Sequence, residues 1–320
     1  MSKVVVLGGG KGQSSLLRAL KRYDELELSA IVTVADDGGS TGRLRQEFNM
    51  PAMGDIRNVM LSLAESESLL GDIMNYRFDD NSRSTLAGHN LGNLILTALT
   101  DTTGNFMDAI ASVSKVLSVM GDIIPASEDL IVLCARMADG TIIRGESNIP
   151  MYQNHIKEVY YDVPVEATPQ AIKAIMEADV IIFGVGSLYT SILPNVIVPK
   201  IKEAIKNSKA KKVYYVNAMS QAGETQGYCA EDHVDALIDH GDFNLDLVVG
   251  SIDEIPQSVL DVYAEEDLQR VQFEKENHDY PILFQSLLSY ENNIAWHDVD
   301  KIYSGFKDVM EALGCPLAQK

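Results

Sequence analysis

Four glycines in five residues, Gly8-Gly9-Gly10-Lys11-Gly12, have the make-up of a phosphate-binding loop. Glycine lets the backbone come close to a ligand, and a helix that follows offers unpaired N–H groups and the positive end of its dipole. That dipole is worth about 0.3–1 kcal/mol per charge, so hydrogen bonds from the loop must do most of the holding. Lys11 adds a cation. The spacing departs from the dinucleotide fingerprint, because Ser15 stands where a third glycine belongs. It departs from a Walker loop as well, because Gly12 and not Ser or Thr follows Lys11. A tight turn without a ligand is the plainer alternative, and so dense a run of glycine argues against it.

A second loop, Asp36-Asp37-Gly38-Gly39-Ser40-Thr41-Gly42, offers different chemistry. Paired carboxylates accept hydrogen bonds from ribose hydroxyls or hold Mg²⁺ that bridges phosphates. Asp and Gly also build turns and helix caps, and the two readings weigh about equally. Ser40 and Thr41 carry hydroxyls suited to phosphate oxygens, and Arg43, Arg45 and Arg57 follow. Gly184, Gly186, Ser187 and Leu188 form another such loop, and Asn217 closes a later strand. Asp55 reads as a helix N-cap. His89, in His89-Asn-Leu-Gly-Asn93, is open between a base, a ligand contact and a satisfied polar group. His233 and His297 stand beside Asp232 and Asp298, which reads as surface pairing. Nothing spells out a nucleophile elbow or a Ser/His/Asp triad, so no catalytic residue is assigned.

These loops need elements to hold them. Val4 to Leu7 is a continuous apolar run, the pattern of a strand buried on both faces in a parallel sheet. A helix over 14–22 and a strand over 28–34 continue βαβ alternation. Helices are expected over 57–64, 93–100 and 106–119. Strands over 130–135 and 141–144, joined at Ala138-Asp139-Gly140, and a third over 159–163 predict a small antiparallel patch. Thr168-Pro169 opens a helix to Glu177, with Pro at its first position. Strands over 180–183, 213–216 and 247–249 follow, and a helix over 300–313 closes the chain. The expected fold is α/β: one large Rossmann-like three-layer α/β/α domain over 1–320, with a mostly parallel sheet and an inserted helical and hairpin region around 55–165. Ligands of such sheets sit at the carboxyl ends of the strands, where all these loops fall.

The net charge is −20, from 46 acids and 26 bases, which argues against nucleic acid and anionic lipid as partners. The three cysteines show no CxxC pattern and suit a reducing compartment. No apolar stretch reaches the roughly 18 residues of a membrane span. Met1-Ser2-Lys3 runs straight into the first strand, which predicts no signal peptide and a cytoplasmic location.

Gly8–Gly12, Val34–Leu44, Gly54–Asn58, His89–Asn93, Phe183–Ser191 and Gly223–Tyr228 together resemble the gluconeogenesis factor family of the YvcK type. That group is related to the 2-phospho-L-lactate transferases of the CofD type. The resemblance runs from about residue 3 to about residue 300. It implies a cytoplasmic bacterial protein linked to cell shape, cell-wall precursor supply and growth on gluconeogenic carbon. It further implies a regulator that binds UDP-sugars, chiefly UDP-N-acetylglucosamine, through the glycine loop, Asp36-Asp37 and the Gly184–Ser187 loop. An unidentified protein partner and a homo-oligomer go with that reading. The transferase relatives move phospholactate from a guanine nucleotide donor with Mg²⁺, so an enzyme of this kind would be a phospho-group transferase. In those relatives a glycine, apolar residues and a Pro-Asp segment follow the acidic pair. Here Gly38-Gly39-Ser40-Thr41-Gly42-Arg43 follows, which favours the sugar-nucleotide branch. A nicotinamide-dependent oxidoreductase is the third option, and the glycine spacing speaks against it.

Overall fold

The computed structural model describes residues 1–65, 69–81 and 83–317. Its core is built on strands too apolar to face water on either side. β1 (Ser2–Gly8) buries Val4 to Leu7 completely, and α1 (Gly10–Leu20) carries the chain to β2 (Leu26–Val32). Helices α2 (Gly39–Phe48), α3 (Gly54–Leu63), α4 (Leu69–Asn75), α5 (Leu91–Thr103) and α6 (Phe106–Val116) then precede β3 (Asp122–Pro125). β4 (Leu133–Met137), β5 (Ile142–Arg144) and β6 (Ile156–Tyr161) make a separate antiparallel sheet in the order β5-β4-β6.

The chain returns through α7 (Pro169–Glu177) to β7 (Val180–Phe183), then α8 (Leu193–Val196) and α9 (Pro199–Asn207) to β8 (Lys211–Tyr215). α10 (Ala230–Gly241) leads to β9 (Leu247–Ser251), and α11 (Gln257–Ala264) to β10 (Ile282–Gln285). A hairpin of β11 (Leu288–Glu291) and β12 (Ile294–His297) comes before α12 (Val299–Ala312). The main sheet has the order β10-β9-β8-β7-β1-β2-β3, and every neighbouring pair in it is parallel. α1 packs with α3 and α12, while α7 packs with α9, which meets α8 and α10. The architecture is the expected three-layer α/β/α with small antiparallel additions. Among the described residues no helix is long and apolar enough to cross a membrane.

Most elements lie within a few residues of their expected positions, and the differences have physical causes. α1 begins at Gly10, inside the glycine run, because Gly10 turns the chain at φ +62° and the helix needs no side-chain cap. β3 and β10 escape sequence reading because each is a four-residue strand at an edge of the sheet. The β11–β12 hairpin escapes because its residues are half-exposed and give no clear apolar alternation.

Asp253, just past β9, fixes that hairpin against the sheet. Its carboxylate accepts from the Leu287 and Leu288 amides (2.5 and 3.0 Å), from the Ser251 and Ser286 hydroxyls (2.9 and 2.6 Å) and from Lys301 Nζ (2.9 Å). These donors outweigh the cost of burial and hold the carboxyl well below the usual range. Removing them leaves several buried donors unpaired, so Asp253→Ala is expected to lose about 2–4 kcal/mol of stability in urea unfolding. The chain has one tryptophan, Trp296, and it stands on β12. Acrylamide quenching of its fluorescence should therefore rise in the variant; unchanged stability and quenching would remove Asp253 from this role.

Candidate functional site at the strand ends

From β1 the chain builds the sheet one way, to β2 and β3, and then resumes on the other side with β7. Such a reversal opens a crevice at the carboxyl ends of the two central strands. The glycine loop after β1 and the Gly184–Ser187 loop after β7 meet there. They meet because Gly12 has no side chain: a Cβ would overlap the Val185 carbonyl and come within 2.8 Å of Gly186 Cα. Side chains hold both loops from behind. Asn195 Nδ2 donates to the Gly8 carbonyl (2.9 Å), Asn217 Nδ2 to the Gly186 carbonyl (2.9 Å), and Gln221 Nε2 to Ser187 Oγ (2.9 Å).

The result is a cleft of about 300 Å³ walled by Gly9–Gly12, Gly186, Ser187, Asn217 and the end of β12. Lys11 Nζ lies 5.7 Å from the centroid of the Trp296 ring, over its face. His297, the next residue, is half-buried, and desolvation of its ring holds it down to about 4, opposed by its bond to the Val216 carbonyl and by Asp253. It is therefore neutral at pH 7, and its Nε2 is buried without a partner, as is Asn217 Oδ1. An unpaired buried acceptor costs about 1–3 kcal/mol until a donor reaches it.

Across the glycine loop, towards β2, the wall is acidic. Asp55 accepts a hydrogen bond from the Gly10 amide, and a Cβ on Gly9 would sit 2.5 Å from Asp55 Oδ2. Asp36 accepts from the Gly38 amide (2.9 Å) and Asp37 from the Ser147 amide (2.9 Å). Burial, then the charge of Asp36, pushes Asp55 up to about 7. Burial, then Asp36 and Asp55, pushes Glu146 up to about 8. Glu224 rises to about 7 through burial, against hydrogen bonds from Thr190 and the Tyr189 amide. Arg57 stands close by, its own pKa lowered to about 10 by burial and by Arg77. Among the described residues no group of three or more His, Cys, Asp or Glu side chains is arranged to hold a metal ion.

Residues 4–287 match the family model of 2-phospho-L-lactate transferase CofD. The chain belongs to that family. It is 44% identical over 314 residues to the gluconeogenesis factor of Bacillus subtilis, covering 97% of this chain and 98% of the relative. It is 50% identical over 254 residues to the gluconeogenesis factor of Halalkalibacterium halodurans, covering 79% and 76%. Its backbone matches the crystal structure of a Bacillus halodurans protein described as a member of the UPF0052 family. That match has a TM-score of 0.90 at 42% identity and covers 95% of this chain and 99% of the other.

In this CofD-family chain the sequence-derived residues fall into two groups. Gly9, Gly10, Lys11, Gly12, Gly186, Ser187 and Asn217 line the cleft. Gly8 and Gly184 lie in its floor, where Asn195 holds the Gly8 carbonyl and a Cβ on Gly184 would press on the Tyr215 carbonyl; Leu188 is fully buried. Asp36, Asp37, Gly38, Gly39, Ser40 and Thr41 form the β2 end. Ser40 and Thr41 are buried and engaged with His89, Asn90 and Asn93, so the second motif docks on His89–Asn93. Two expectations are corrected. Asp55 is not an N-cap: α3 is preceded by Met53, and the carboxylate reaches back to Gly10 instead. His233 is buried and His297 is half-buried with its ring bonded to Val216, so neither is a surface pair, and Asp298 caps α12. Trp296 and Glu146 have no sequence signal beyond their types, because remote elements bring them in, whereas Glu224 lies inside the Gly223–Tyr228 motif.

The raised acids set the pH dependence. An acid with a raised folded pKa keeps its proton after the unfolded chain has lost it, so stability falls as pH rises from about 4 through the folded value. His89, His233, His240 and His297 are lowered by burial and act oppositely, adding stability only up to their unfolded value of about 6.5. From about pH 6.5 upward the acids set the slope, and the raised Cys134 and Cys229 add to the fall as pH nears their unfolded value of about 8.5. Unfolding free energy in metal-free buffer is therefore expected to fall between about pH 6.5 and about pH 8.5, and Glu146→Gln should flatten the fall. A wild-type profile that is level or rising there would contradict the acid wall.

Proposed function

We propose that the cleft binds a sugar nucleotide of the UDP-N-acetylglucosamine type and that the protein is a cytoplasmic regulator. The observation that carries this reading is the meeting of the α1 start, the Gly186–Ser187 backbone and Lys11 around one cleft. The first amides of a helix have no partners inside it, and they point where a diphosphate would lie. Trp296 adds an aromatic face, and the acids across the loop suit sugar hydroxyls. The relatives' name, gluconeogenesis factor, supports a role in growth on gluconeogenic carbon; a role in cell shape and an unidentified regulated protein are part of the same proposal.

The family match favours one second reading, a Mg²⁺-dependent transferase with a nucleotide-activated donor. Asp36 and Asp37 would then hold the ion together with the donor's phosphates, since Mg²⁺ commonly takes only one or two protein carboxylates. Titration of UDP-N-acetylglucosamine, followed by calorimetry and by Trp296 fluorescence, tests the first reading. Saturable binding is expected, and Gly10→Val should abolish it, because Gly10 sits at φ +62° beside Asp55. No heat from folded protein at millimolar ligand would end the proposal. Magnesium-dependent consumption of the nucleotide, lost in Asp37→Asn, would replace it with the second reading.

A further inference from the structure

A second, smaller pocket opens beside the cleft, over the carboxyl ends of β8, β9 and β10. It shares Asn217 and Ala218 with the cleft, so the two are continuous. Its volume is about 190 Å³. A cavity of about 150 Å³ holds one benzene ring, so this pocket has room for a single six-membered ring. Ile255, Phe273, Phe284 and Leu288 supply apolar walls, with Phe273 and Phe284 edge to face at 5.5 Å. Arg270 and Gln272 supply polar edges. Among the described residues the Arg270 guanidinium has no ion pair or hydrogen bond, although the chain carries 46 acids. A guanidinium only donates, so it selects a carbonyl edge over an amino edge.

Given the nucleotide reading above, on which this inference rests, we infer that this pocket holds the base and that Arg270 selects a pyrimidine with a carbonyl at position 4. The ligand then has a fixed direction. Its base lies over β8–β10, and its ribose passes Asn217 and His297 where the pocket joins the cleft. The diphosphate lies on the glycine loop. The group beyond it points to the carboxylates at the β2 end, which accept from sugar hydroxyls.

The test is calorimetric titration of full-length protein with UDP, CDP, ADP and inorganic pyrophosphate, for the wild type, Arg270→Met, Phe284→Ala and Asp36→Asn. Phe284 is half-exposed, so its truncation spares folding. UDP should bind about tenfold or more tightly than CDP, the value of one charge-assisted hydrogen bond. Arg270→Met should erase that preference, and Phe284→Ala should weaken UDP and CDP alike; neither should alter pyrophosphate binding. Asp36→Asn should leave base preference unchanged. Persistence of the preference in Arg270→Met, or its loss in Asp36→Asn, would place the base elsewhere and overturn this inference while the nucleotide reading stands. Failure of the folded wild type to bind any nucleoside diphosphate would remove both.

Discussion

Two stretches of backbone touch at Gly12, and the rest of the site depends on that contact. The Val185 carbonyl occupies the space that any other residue at position 12 would need. Because the loops after β1 and β7 close on each other, the start of α1 faces the Gly186–Ser187 backbone across a narrow cleft. The parallel sheet makes the meeting inevitable: β1 and β7 are neighbours, yet they belong to opposite directions of sheet growth. Side-chain amides of Asn195, Asn217 and Gln221 then lock each loop at its base. The glycine run and the order of the sheet are thus one constraint expressed twice.

Electrostatics divides the site into two sides. On one, Lys11 and Arg270 are cations without carboxylate partners among the described residues, set beside aromatic rings. On the other, burial and the nearby charge of Asp36 push Asp55 up, and burial with Asp36 and Asp55 pushes Glu146 up. A protein of charge −20 pushes anions away at long range, and a local arrangement of amides and cations must overcome that field. Concentrating the acids on the β2 side does this while leaving acceptors for hydroxyl groups. The Asp55–Gly10 hydrogen bond joins the two sides, so protonation at the acid wall is felt at the first amide of α1.

The sequence makes the central strands legible because β1 and β7 are apolar throughout, and the glycine loops legible because glycine density has few other causes. It leaves Asp55 ambiguous, since an acid in a first helical turn usually serves its own helix, whereas this one serves α1. Ser40 and Thr41 look like phosphate ligands in sequence, yet their hydroxyls are engaged with His89–Asn93 in the fold. Trp296 and His297 are invisible as site residues because a half-exposed hairpin, pinned by Asp253 and Lys301, carries them to the cleft from the far end of the chain. Local patterns report what a segment does with its neighbours, and this site is assembled from segments nearly 290 residues apart, Gly9 to His297.

In the proposed function the α1 start and the Gly186–Ser187 loop together bind a diphosphate. A crystal structure of the protein with UDP-N-acetylglucosamine tests it most directly. The account predicts diphosphate oxygens within hydrogen-bond distance of the Lys11 and Gly12 amides, with Lys11 beside them. A well-ordered ligand whose diphosphate lies away from both loops would contradict it.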